Sequence, residues 1–244
     1  MNHRVLNYDY EKYNFREYLL KYYKRKYGSI SFDEYHKLLE TDKVTLDTKE
    51  YYKNIPLFGK TDRKSIFVSD FYDIFDNDYT FLHKYINFIK DNIQPLFNET
   101  LVIQKTPNIR FHLDGCSNIG RRDTDTRSEI IGVHYDGEFG HPEGELNIVL
   151  PITDMYDTNS IYYESEPDSN VDYDEYCNMT LKKNQFYMGN LNKCKHYNRI
   201  NKTGKTRVSF DFRVIPYSKF KNCEVESATS KMKFSIGEYY MLLD

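Results

Sequence analysis

The sequence predicts an α+β protein in which helices come first and a jelly roll of short antiparallel strands follows. Two observations support this fold class. In the first hundred residues, apolar side chains recur mainly at helical spacing. Beyond about residue 100, short runs alternate apolar and polar residues and are separated by turn-forming Gly, Pro, Asn and Asp, which is typical of an antiparallel sandwich or jelly roll.

Three helices are expected before the strands. Residues 8–27 contain no Gly or Pro and carry an apolar stripe that ends at a glycine. Residues 31–40 open with Ser-Phe-Asp-Glu, the pattern of a capping box, and residues 70–96 carry a third apolar stripe. We therefore assign residues 1–98 to a helical segment packed outside the barrel and residues 99–244 to the barrel, within a single structural domain.

Three later runs show the two-residue period of a half-buried strand: residues 109–113, 145–152 and 206–215. The last run has one apolar face and one polar face. Its polar face holds Arg207, Ser209, Asp211 and Arg213. The acidic, tyrosine-rich segment 164–175 is expected to be a loop.

Composition argues against several classes of protein. The chain has 244 residues, 29% of them charged, and a mean hydropathy of −0.76. No apolar run approaches the roughly 18 residues that cross a bilayer, and no apolar leader follows the first methionine, so we expect a cytoplasmic protein without a membrane partner. A net charge of −3 gives no general attraction to nucleic acid. The expected partner is a small-molecule substrate, and the sequence does not specify an oligomeric state.

The chemistry of the sequence is concentrated in His134-Tyr135-Asp136 and in His196, about sixty residues further on. In an extended strand, residues i and i+2 point to the same face, so His134 and Asp136 can reach one ion while Tyr135 points away. His196 precedes a predicted strand, and antiparallel pairing could bring it across the barrel mouth to His134. Two imidazoles and one carboxylate suit an Fe(II) ion that keeps open positions for substrates.

Arg207 and Ser209 lie on the polar face of the next predicted strand. An arginine that faces into a barrel is costly to bury without an anionic partner. A dicarboxylate ligand would resolve that cost, because Arg207 could form a bidentate, charge-assisted bond with one carboxylate while Ser209 adds a hydroxyl donor. The alternative for Arg207 is a surface ion pair with Asp211.

Taken together, His134-x-Asp136, His196 and Arg207-x-Ser209 resemble the motif of the Fe(II)- and 2-oxoglutarate-dependent oxygenases. The fold of that superfamily is a double-stranded β-helix, a cupin-like jelly roll. The resemblance implies that the first three side chains are the catalytic iron ligands, that Arg207 and Ser209 bind the C5 carboxylate of 2-oxoglutarate, and that O2 is the second co-substrate. Halogenating relatives replace the carboxylate ligand with a small residue, so an intact Asp136 favours hydroxylation or another oxidation.

Within the superfamily, residues 132–153 and 201–213 resemble the branch associated with streptomycin biosynthesis, which is similar to phytanoyl-CoA dioxygenases. The resemblance covers about residues 104–216. It also indicates Asn198 as a contact for the co-substrate, and Asn147, which points inward on its strand, has a similar potential. By analogy with the antibiotic branch, the substrate would be sugar-like or another natural product.

Four further polar residues are candidates for contacting the substrate: Arg110, His112, His141 and Glu164. Arg110 and His112 alternate toward the polar face of their strand, and an exposed edge strand is the alternative interpretation. His141 follows His134 by seven residues, and the resemblance places a histidine there; a fourth metal ligand is disfavoured because the three-ligand set needs its vacancies. For Glu164 the alternative is a solvated loop end.

These motifs predict an Fe(II)- and 2-oxoglutarate-dependent dioxygenase that oxidises a small polar substrate and releases succinate and CO2. Two alternatives stay open. A zinc-dependent hydrolase or isomerase of the cupin type would use the same three ligands but leave Arg207 unexplained. The other is a non-catalytic binding module with the same fold. Because ligating histidines must be neutral, metal affinity is expected to fall as the pH drops through about 6.5.

Overall fold

Two antiparallel sheets and a group of helices make up the structure, a computed structural model that describes residues 3–53, 65–116, 130–227 and 230–243. None of the described helices is long and apolar enough to cross a membrane. The helices are α1 (Phe15–Tyr27), α2 (Leu46–Lys53), α3 (Ile66–Asn77) and α4 (Tyr79–Asn92). The strands are β1 (Arg4–Asn7), β2 (Leu101–Gln104), β3 (Asn108–His112), β4 (Ile130–His134), β5 (Leu146–Pro151), β6 (Ile161–Tyr163), β7 (Cys177–Asn178), β8 (Gln185–Gly189), β9 (His196–Arg199), β10 (Arg207–Pro216) and β11 (Tyr240–Leu243).

The larger sheet has the strand order β1-β8-β5-β10-β2-β11, and the smaller sheet has the order β4-β9-β6-β7. Strands β3 and β2 pair with successive parts of β10, so this long strand organises the larger sheet. Neighbouring strands in both sheets are antiparallel. The predicted combination of helices with antiparallel sheets is therefore confirmed.

The two faces of β10 meet different surroundings. On its apolar face, the ring centroid of Phe210 lies 5.7 Å from that of Phe15 in α1 and 5.3 Å from that of Phe71 in α3. Its polar face is turned toward the smaller sheet, where Arg207 Nη2 donates to Asn198 Oδ1 of β9. The helices thus cover the outer face of the larger sheet, and polar side chains collect between the sheets.

The N-terminal region differs from the sequence expectation in two places. The helix predicted over residues 8–27 begins later, with α1, and Arg4–Asn7 forms strand β1, which pairs with β8. Residues 32–40 form a 3-10 helix rather than an α-helix. The expected capping box is absent because the Ser31 hydroxyl donates to Asp33 Oδ2, at 2.8 Å, instead of capping the helix.

The helix predicted over residues 70–96 is two helices, α3 and α4, and Asp78 lies at the break. Its Oδ1 accepts a hydrogen bond from the backbone amide of Thr80, at 2.9 Å, which caps α4. Its Oδ2 accepts from the hydroxyls of Tyr18 and Tyr22 in α1. One carboxylate therefore starts α4 and ties it to α1.

Replacing Asp78 with alanine is expected to lower the free energy of unfolding by about 1–3 kcal/mol, because an N-cap and the acceptor for two hydroxyls are lost together. Burial raises the pKa of Asp78, but the hydroxyls of Tyr18 and Tyr22 and the helix amides outweigh it and lower that pKa to about 2. The unfolded value is about 3.9. The stabilisation is therefore complete above about pH 4 and is lost as the pH falls through the folded pKa.

Urea unfolding of wild type and Asp78→Ala measures this effect. The difference between the two proteins should shrink between neutral pH and about pH 3. Asp78→Asn, which keeps an acceptor for the helix amides but carries no charge, should retain part of the stability and lose the pH dependence. A difference between wild type and Asp78→Ala that is independent of pH would contradict the assignment.

Candidate metal centre

His134, Asp136 and His196 meet between the two sheets. His134 ends β4 and His196 begins β9, and the two residues are opposite each other in the strand pairing. Asp136 follows β4 in a short 3-10 turn. The Nε2 atoms of both histidines lie 3.7 Å from Asp136 Oδ1, and the imidazole centroids are 4.3 Å apart. All three side chains are buried, so the triad predicted from the sequence is brought together.

Backbone carbonyls orient both imidazoles. The Nδ1 atom of His134 donates to the carbonyl oxygen of Gly132, and Nδ1 of His196 donates to that of Cys194, at 3.1 Å. In a neutral imidazole this leaves the lone pair on Nε2, which faces Asp136. Burial lowers the pKa of His196, although Asp136 opposes that shift. His196 is therefore held in the neutral form that binds metal ions.

The two oxygens of Asp136 have different surroundings. Oδ2 accepts hydrogen bonds from Asn147 Nδ2, at 2.6 Å, and from Arg213 Nη2, at 2.7 Å. Oδ1 faces the two histidines. Burial disfavours the carboxylate, but the Arg213 guanidinium beside it holds the pKa of Asp136 well below its usual range. The site thus presents two imidazole nitrogens and one carboxylate oxygen whose ligand atoms lie within 4.8 Å of one another.

The inner faces of both sheets enclose a cavity of about 60 Å³ at this triad. Apolar walls come from Val149, Ile161 and Leu191, which exclude water from one side. The remaining walls are polar, and they include both arginines of the polar face of β10, Arg207 and Arg213. The cavity therefore joins the triad to the strand that was predicted to bind an acid.

Arg207 is 1% exposed and has no full set of acceptors. Its Nη2 donates to Asn198 Oδ1 at 3.4 Å, a long hydrogen bond, and Nε and Nη1 have no partner among the described residues. Burial and the nearby Arg110 lower the pKa of Arg207 to about 9, so the guanidinium stays charged at neutral pH. The alternative of a surface ion pair is wrong, because the Asp211 carboxylate bonds instead to Arg110 and Arg213.

The other three predicted co-substrate contacts also lie on the inner faces. Asn198 lines the cavity between the triad and Arg207. Asn147 lines the cavity as well and makes the hydrogen bond to Asp136. Ser209 is buried two residues after Arg207 on the same strand face, and it does not line the cavity.

Of the two candidate substrate residues in β3, one lines the cavity and the other does not. Arg110 lines the cavity, and its Nε donates to Asp211 Oδ2 at 2.7 Å. His112 is fully buried outside the cavity lining, with Nδ1 3.2 Å from the carbonyl oxygen of Asn159 and Nε2 3.1 Å from that of Cys116. Burial lowers the pKa of His112 to about 3, so its imidazole is neutral. The exposed-edge interpretation is wrong for His112.

His141 belongs to a neighbouring polar group. Its Nδ1 lies 3.0 Å from Glu145 Oε2, and its ring packs 4.4 Å from that of Phe234. Glu145, which the sequence did not single out, is 1% exposed and also accepts from the Tyr240 hydroxyl. Ligand atoms of Asp136, His141 and Glu145 also lie within 4.8 Å of one another. The triad with two histidines lines the cavity that also contains Arg207, whereas His141 and Glu145 do not line it.

Glu164 is not the solvated loop end considered as the alternative, because it is 1% exposed. Its Oε2 accepts from the backbone amide of Lys195, at 2.8 Å. It lines a separate cavity of about 410 Å³ together with Val133 and Lys195. Val133 precedes His134 in β4 and Lys195 immediately precedes His196 at the start of β9. Neighbouring residues of an extended chain point to opposite faces, so this cavity lies on the opposite face of the smaller sheet. The structure therefore places Glu164 away from the triad.

No protein-family model matches the chain. In sequence, the chain is 25% identical over 201 residues to the streptomycin biosynthesis protein StrG of Streptomyces griseus. The matched region covers 82% of this chain and 78% of StrG. The resemblance to the branch associated with streptomycin biosynthesis is therefore confirmed in sequence.

Similar solved structures include non-heme enzymes. The α-ketoglutarate-dependent epimerase SnoN from nogalamycin biosynthesis matches with a TM-score of 0.47 and 10% identity, over 100% of this chain and 94% of SnoN. HygX from Streptomyces hygroscopicus, solved with nickel and 2-oxoglutarate bound, matches with a TM-score of 0.35 and 11% identity, over 93% of this chain and 88% of HygX. The nickel complex of the monooxygenase ThoJ matches with a TM-score of 0.40 and 13% identity. The match covers 60% of this chain and 57% of ThoJ, so this chain spans less than two thirds of ThoJ. At these TM-scores the residues of the site, and not the overall likeness, must decide the function.

Proposed function

We propose that this chain is an Fe(II)- and 2-oxoglutarate-dependent oxygenase with a double-stranded β-helix core, and that it oxidises a small polar molecule. One observation carries the proposal. The Arg207 guanidinium is buried with two donors unpaired among the described residues, in the same cavity as His134, Asp136 and His196. A buried cation without acceptors is costly, and a bound carboxylate removes that cost.

The donor set of the triad fits a redox-active divalent metal. Nε2 of His134 and Nε2 of His196 each lie 3.7 Å from Oδ1 of Asp136, and two histidines with one carboxylate are the ligand set of non-heme Fe(II) oxygenases. Three ligands of this kind leave positions for a chelating co-substrate and for O2. The intact carboxylate of Asp136 favours oxidation of the substrate over halogenation.

Arg207 would bind the C5 carboxylate of 2-oxoglutarate as a planar fork, in which one of the unpaired donors, Nε or Nη1, acts together with the neighbouring Nη2 group. Asn198, whose Oδ1 accepts from Arg207 Nη2, lines the same cavity as the triad and would contact the co-substrate there. Ser209, buried on the same strand face, would add a hydroxyl donor. Fe(II), 2-oxoglutarate and O2 supply the oxidising chemistry when bound, with succinate and CO2 as co-products. The chain orients them and, through Val149 and its apolar neighbours, keeps water from the reacting end.

The two alternative functions account for less of the site. A zinc-dependent hydrolase or isomerase would use the same three ligands and leave the Arg207 donors unpaired. A non-catalytic binding module would explain Arg207, but it gives no reason for two imidazoles whose tautomers are set by the carbonyls of Gly132 and Cys194. The oxygenase explains the triad and the arginine together.

Anaerobic titration of the purified protein with Fe(II) and 2-oxoglutarate tests the proposal. A visible charge-transfer band should form only when both are present, and succinate should accumulate when air is admitted. If the protein binds the metal but shows neither the band nor binding of 2-oxoglutarate, the result would support the zinc enzyme instead. Binding of 2-oxoglutarate without succinate formation, with or without added substrate candidates, would support the non-catalytic module.

A further inference from the structure

We propose that Asn147, Asp211 and Arg213 form a support network whose role is to fix the Asp136 carboxylate so that a single oxygen, Oδ1, is available to a metal. Asn147 and Arg213 are positioning residues in this proposal, since they act through Asp136. The inference rests on the proposed metal role of the triad. It gives a role to Asp211 and Arg213, the residues of the polar face of β10 that are not proposed to bind the metal or the acid.

The hydrogen bonds at Asp136 Oδ2 carry the proposal. This oxygen accepts from Asn147 Nδ2 and Arg213 Nη2 at 2.6 and 2.7 Å, both short for N–H···O bonds. A carboxylate oxygen has two lone-pair positions, so both are taken. Oδ1 is the oxygen that lies 3.7 Å from the two imidazole nitrogens. The carboxylate is therefore restricted to one free oxygen before any metal arrives.

The strand register explains why both donors reach the same oxygen. Arg213 of β10 and Asn147 of β5 are directly opposite each other in the sheet, so their side chains leave the same face side by side. Asp211, two residues before Arg213, accepts from Arg213 Nη1 and also from Asn108 Nδ2, at 2.9 Å. The guanidinium is thus held between the buried carboxylate of Asp136 and the partly buried carboxylate of Asp211.

The network places one positive guanidinium, that of Arg213, between two negative carboxylates. Asp136 and Asp211 bracket the guanidinium of Arg213, and Asp136 on one side keeps the pKa of Arg213 well above its usual value despite burial. Replacing Arg213 leaves the buried carboxylate of Asp136 and the partly buried carboxylate of Asp211 each short of a partner, which is costly. Asn147 has no charge, and its removal frees one lone pair of Oδ2 without that penalty.

This restriction matters because a carboxylate bound through both oxygens would occupy a position that a chelating co-substrate or O2 needs. Residues that orient metal ligands typically change metal affinity or activity by about 10–100-fold when they are replaced. The network would therefore act on how the metal is held, in addition to the stability that Arg213 contributes by pairing with Asp136.

Binding of Co(II) to the metal-free protein tests the inference, with affinity from calorimetry and the visible spectrum of the bound ion as readouts. Arg213→Met and Asn147→Leu should lower the Co(II) affinity by about 10–100-fold and change the spectrum, since the carboxylate is no longer fixed. Arg213→Lys, which can still donate to Oδ2, should recover most of both. Arg199→Met is the matched control, because Arg199 lies over the Tyr162 ring and bonds to Asp174 instead of the triad.

The possible results separate the two proposals. Wild-type affinity and spectrum in folded Asn147→Leu and Arg213→Met would overturn the network. Lower affinity with an unchanged spectrum would also overturn it, because general loosening of the site would then explain the loss. If wild-type protein fails to bind Co(II), the metal site itself is wrong and both proposals fail.

Discussion

Replacing Arg207 with methionine is expected to weaken binding of 2-oxoglutarate by about a hundredfold or more while making the ligand-free protein more stable. Two charge-assisted hydrogen bonds at about 1.5–3 kcal/mol each account for the loss of affinity. The gain in stability has the same origin. Arg207 is 1% exposed with Nε and Nη1 unpaired among the described residues, and methionine fills a similar volume without a charge.

Calorimetry with Fe(II) and 2-oxoglutarate under anaerobic conditions measures the affinity, and thermal unfolding measures the stability. In wild type, 2-oxoglutarate should raise the melting temperature, and in Arg207→Met it should not. Arg207→Lys keeps the charge but loses the planar fork, so an intermediate affinity is expected. Arg199→Met serves as the control for loss of an arginine. A variant at Arg207 that binds 2-oxoglutarate as wild type does would remove the main support for the proposed function.

The sequence was sufficient for the parts of the site that follow from strand alternation. In β10, every second residue from Arg207 to Arg213 is polar, and the structure turns that face inward and packs the apolar face, including Phe210, against the helices. Alternation also places His134 and Asp136 within reach of one ion. It shows which way Arg213 points, but it does not show that Arg213 bonds to Asp136. That contact depends on the register between β10 and β5, which joins residues 66 positions apart in the chain (213 − 147).

Local signals misled where a tertiary contact outweighed them. Ser31 has the pattern of a capping residue, but its hydroxyl and the Arg16 guanidinium both bond to Asp33, so the cap is not formed. Glu164 follows a tyrosine-rich run and resembles a loop end, yet the amide of Lys195 and the hydroxyl of Ser169 hold it in the interior. Such contacts leave no periodic trace in the sequence.

Replacing His134 with alanine is expected to abolish binding of the metal and of 2-oxoglutarate together. Loss of one of three ligands should reduce Fe(II) affinity by more than the roughly 10–100-fold typical of residues that only orient a ligand. The co-substrate is then left with Arg207 alone, so its affinity should fall as well. His83→Ala, on the exposed side of α4, is the matched control for removing a histidine. Thermal unfolding should show that His134→Ala is folded, and Co(II) and 2-oxoglutarate titrations give the two affinities.

The pair of variants distinguishes the three functions more sharply than either does alone. If His134→Ala loses both ligands while Arg207→Met loses only 2-oxoglutarate, the acid must be held at the metal and at the arginine at once, as an oxygenase requires. If folded His134→Ala loses the metal but binds 2-oxoglutarate as wild type does, Arg207 serves an acid-binding module in which the triad has no part. If Arg207→Met retains metal and 2-oxoglutarate never binds wild type, the triad belongs to a metal-dependent hydrolase or isomerase, and the unpaired guanidinium must face a substrate of that enzyme.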